Sequence, residues 1–92
     1  MKILENINNK TYFITKEDKV SPLEISKNDL LNIMTEMYYT SEEIIMPSNE
    51  EISMINNPIE KEIVEQIINK LSSFKNNIEN IKQEVETQFP EF

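Results

Sequence analysis

From residue 59 onward the apolar positions advance in alternating steps of three and four: Val64, Ile67, Leu71, Phe74, Ile78, Ile81 and Val85. That spacing is the a/d seam of a coiled coil and predicts one long helix over about 58–87. Asn57 suits its N-cap, Pro58 its first turn and Glu60 its third position, and Phe89-Pro90 ends the pattern. At the start, Ile63, Val64, Ile67, Ile68 and Leu71 make a broad stripe suited to a domain core. After Leu71 the stripe narrows to a and d alone, which suits a two-helix seam. The first half is therefore expected to hold the fold and the second to reach a partner.

A helix of about 30 residues is about 45 Å long, hard for so short a chain to cover. Three coverings of residues 71–88 stay open: the chain's own helix at 27–39, a second copy, or a foreign helix. In a parallel homodimer Lys70 at g would face Lys75 at e across the pair. That clash of a few tenths of a kcal/mol favours antiparallel or heterologous pairing.

Upstream the periods are shorter. Thr11–Thr15 is rich in β-branched and aromatic residues and follows the turn signal Asn8-Asn9, with an earlier short strand near Lys2–Ile7 able to pair with it. Lys16-Glu17-Asp18-Lys19 is a polar turn. Val20–Ile25 could add a third strand, confined to an edge by Pro22. Ser26 and Asp29 mark a helix start, and Leu30, Ile33, Met34, Met37 and Tyr38 predict a helix over about 27–39. Thr40–Met46 reads equally as a short helix or as extended chain before Pro47. Ser48 and Glu51 form a capping box for one or two turns ending near Asn56. The fold class is thus α+β: an N-terminal antiparallel hairpin or three-stranded sheet, then helices, with a long C-terminal helix of coiled-coil character. The expected organisation is a single small domain over 1–92. Its β region covers 1–25, short helices with an acidic segment 26–56, and the long helix 57–88.

Composition narrows the chemistry. The 92 residues include no glycine, cysteine, histidine or tryptophan, and the sequence also lacks arginine and alanine. Its richness in Ile, Asn, Lys and Glu is what codon bias in an AT-rich genome produces, pointing to a bacterium, or to a phage or other mobile element of one. Without His or Cys there is no catalytic triad and no Cys/His zinc site. Without Gly there is no phosphate-binding loop, and without Arg no bidentate anion clamp. No cofactor and no metal are expected, and no enzymatic activity. There is no signal-peptide or membrane-span pattern, so a cytoplasmic protein is the expectation.

Charge points to a partner. The chain has 9 basic and 17 acidic residues, a net charge of −8. Residues 31–60 hold Glu36, Glu42, Glu43, Glu50, Glu51 and Glu60 and no base, so this third alone carries −6. Direct nucleic-acid binding needs clustered cations and is disfavoured. A basic protein surface is the better match. Tyr and Met suit interface cores, and consecutive tyrosines on one helix cannot share a face. The candidate contact set is therefore Glu36, Tyr38, Tyr39, Glu42, Glu43, Glu50 and Glu51. A non-catalytic protein-binding inhibitor or regulator follows, its glutamates standing in for phosphates on a basic, nucleic-acid-binding surface. In size, acidity and composition, though in no motif, the chain is similar to phage-type inhibitors of nucleases and CRISPR systems. The alternative is a homodimeric coiled-coil scaffold or adaptor held by the seam.

Overall fold

A computed structural model of the chain describes residues 1–16 and 18–88. Three strands, β1 (Leu4–Ile7), β2 (Lys10–Ile14) and β3 (Lys19–Val20), form an antiparallel sheet in the order β1-β2-β3. Three helices follow: α1 (Lys27–Tyr39), α2 (Asn49–Ser53) and α3 (Pro58–Gln88). The molecule is α+β and elongated, with extents of 52 × 25 × 22 Å.

The β1–β2 hairpin turns on Asn8 (φ 51°) and Asn9 (φ 64°), with Ile7 opposite Lys10. Two successive residues at positive φ match the right-handed twist of the flanking strands. Asn tolerates this region better than any other residue present, since the chain has no glycine. Leu4, Phe13 and Val20 sit side by side across the three strands and turn one face inward, with Phe13 fully buried.

The first strand begins at Leu4 rather than Lys2, because the chain bends at Ile3 and changes partner. Lys2 bridges in parallel to Ile45, with the Ile3 amide donating to the Ile45 carbonyl and the Ile45 amide to that of Met1. Residues 40–47 are accordingly not helical. The third strand stops at Val20 instead of running to Ile25. Pro22 has no amide for a ladder, its ring is buried, and Glu24 N–H closes a turn onto the Ser21 carbonyl. Glu17, within the predicted polar turn, and Phe89-Pro90, the predicted helix stop, lie outside the described residues.

Each helix opens on the residue that satisfies its free amides. Ser26 accepts from Asp29 N–H while the Asp29 carboxylate accepts from Ser26 N–H at 2.8 Å, a full capping box. Ser48 accepts from Glu51 N–H at the head of α2, and the Asn57 side chain accepts from Ile59 and Glu60 at the head of α3. α2 is a single short turn and a half, ending at Ser53 with Met54 as C-cap rather than near Asn56.

The core joins all of these. Ile3, Leu4 and Phe13 from the sheet region meet Ile33 and Met37 of α1, Ile52 and Ile55 around α2, and Val64, Ile67, Ile68, Leu71 and Ile78 of α3. α1 and α2 each pack on α3. The seam is thus covered from within along most of its length. Phe74 packs against the core and Ile78 is only 6 % exposed, so the fold-holding part of α3 reaches Ile78 and not merely Leu71. Ile81 is half-buried and Val85 is 46 % exposed, which leaves the last turns of α3 as the part without cover. Among the described residues no helix is long and apolar enough to cross a membrane.

Candidate functional site

The residues predicted to make contact fall into three places. Glu36, Tyr38 and Tyr39 close the C-terminal turns of α1; Glu42 and Glu43 lie on the extended segment after it; Glu50 and Glu51 stand in the first turn of α2. α2 packs on α3, as α1 does. Several of these groups also have local work. The Glu42 carboxylate lies 3.1 Å from the α-amino group of Met1, which also donates to the Glu43 carbonyl at 2.8 Å. Glu51 sits against the Ser48 hydroxyl at 3.4 Å, at the helix end that favours negative charge.

The end of α1 is where geometry and chemistry coincide. Ile33 and Met37 fix the inward side of the helix, and the next residues around it are forced outward. Tyr38 stays half-buried at the edge of the core, with Lys82 Nζ of α3 5.4 Å from its ring centre. A cation over an aromatic face contributes about 0.5–1 kcal/mol near the surface of a protein. Tyr39 then has no place inside. Its ring meets Tyr38 edge-on, with centroids 5.0 Å apart and an interplanar angle of 83°, and the residue is 78 % exposed. No other large apolar residue described is so open to solvent.

Two grooves meet at Tyr39. On one side a groove of about 660 Å³ runs between the β2–β3 turn and α1, lined by Lys16, Asp18, Asp29, Asn32, Glu36 and Tyr39 among others. Thr15 holds its turn wall in shape: the Thr15 hydroxyl donates to the Asp18 carbonyl at 2.9 Å and accepts from Asp18 N–H at 3.0 Å. Three carboxylates face one lysine there. Among the described residues the only ion pairs are Met1–Glu42 and Lys19–Glu5, so Asp18, Asp29 and Glu36 have no ionic partner. On the other side, Leu31, Met34, Tyr38 and Phe74 line an apolar groove between α1 and α3.

Asp18, Asp29, Leu31 and Phe74 are therefore part of the surface although sequence reasoning had given them other duties or none. One signal was present in the chain. Leu31, Met34 and Tyr38 recur at i, i+3 and i+7 beside the core stripe Leu30–Ile33–Met37, a wider apolar face than one core contact requires. The convergence of Asp18 with α1 depends on tertiary folding and has no sequence signature. Among the described residues no three acidic groups converge closely enough to hold a metal ion. Comparison of the chain with protein-family models, with curated proteins and with solved structures gives no match.

Proposed function

We propose that the protein is a non-catalytic inhibitor or regulator that acts by docking the outer face of α1 on a basic surface of a partner protein, in the cytoplasm of a host cell. The observation that carries this reading is Tyr39: an aromatic residue 78 % exposed, braced by Tyr38, at the border of an acidic groove and an apolar one. Exposed tyrosines flanked by complementary charge are the usual anchors of protein interfaces. The acidic groove supplies long-range attraction and orientation, and the apolar side supplies the desolvated contact. Where the partner's basic surface is a nucleic-acid site, occupation by Asp18, Asp29 and Glu36 competes with phosphate for the same cations.

The test is capture of partners from a bacterial host on the immobilised protein, followed by titration with the purified captured partner. Glu36→Lys combined with Tyr39→Ala should weaken binding by at least about tenfold with helix content unchanged, and rising salt should weaken the wild-type complex. Binding that survives both changes contradicts the reading. The scaffold reading keeps one observation in its favour, the half-buried Ile81 and exposed Val85 at the end of α3. Light scattering decides it: a dimer that Ile81→Asp with Val85→Asp converts to monomer would establish self-association through that end.

A further inference from the structure

We draw no further inference here: the strongest candidate, the apolar groove between α1 and α3 lined by Leu31, Met34, Tyr38 and Phe74, belongs to the surface already described, and nothing in the structure shows what covers it.

Discussion

Val64, Leu71, Ile78 and Val85 lie on α3 at seven-residue intervals, yet the first three are buried and the last is 46 % exposed. Their spacing is identical and their neighbours along the helix are of the same kinds. What differs is the cover. The sheet, α1 and α2 supply enough apolar surface to close over α3 as far as Ile78, Tyr38 of α1 still reaches Lys82, and Val85 lies beyond that cover. A second pair of regions repeats the lesson on α1. Leu30, Ile33 and Met37 face the core, whereas Leu31, one position away, and Tyr39 face water. Periodicity assigns a residue to a side of a helix. Only the mass available on that side decides whether the residue becomes core or contact surface.

Substitutions at matched positions can break this comparison. Leu71→Ala removes a side chain held at the centre of the core and should cost about 2–5 kcal/mol of stability, read from the midpoint of urea unfolding. Ser26→Ala removes the capping box at the head of α1, the helix that covers this part of α3, and should cost about 1 kcal/mol. Val85→Asp lies on the same heptad position as Leu71 but beyond the cover, and should change stability by no more than about 0.5 kcal/mol. If Val85→Asp proves as costly as Leu71→Ala, the end of α3 is covered in solution by something the isolated fold does not contain.

Much of the fold was legible in the chain because its signals are local. The cap at Ser26, the Asn8-Asn9 turn and the Asn57-Pro58 start of α3 each depend on residues within a few positions of one another. The expected third strand is present but stops short where a nonlocal fact intervenes. Val20–Ile25 has strand-like composition, but Pro22 is drawn into the buried interior and the chain turns there instead. The Lys2–Ile45 bridge joins segments more than forty residues apart and resolves the ambiguity of residues 40–47, which composition alone left open.

The candidate site was legible in part. Glu36, Tyr38 and Tyr39 stand in the C-terminal turns of α1, while Glu42 and Glu43 lie on the extended segment after it and Glu50 and Glu51 in the first turn of α2. Asp18 joins Glu36 only because the β2–β3 turn is folded against α1, and Asp29 carried an evident capping duty that concealed its second position in the groove wall. The helix seam, which the sequence displays most openly, turns out to be largely the means by which α1 is held, outer face to the solvent.

The central claim is that the outer face of α1, and not the free end of α3, is the binding surface. Its most direct test is a pair of titrations with the purified captured partner, one using Leu31→Asp with Tyr39→Ala and the other Ile81→Asp with Val85→Asp. The first pair should weaken binding by at least about tenfold while the second leaves it unchanged. Loss of binding in the second pair alone would contradict the account and give the function to the end of α3.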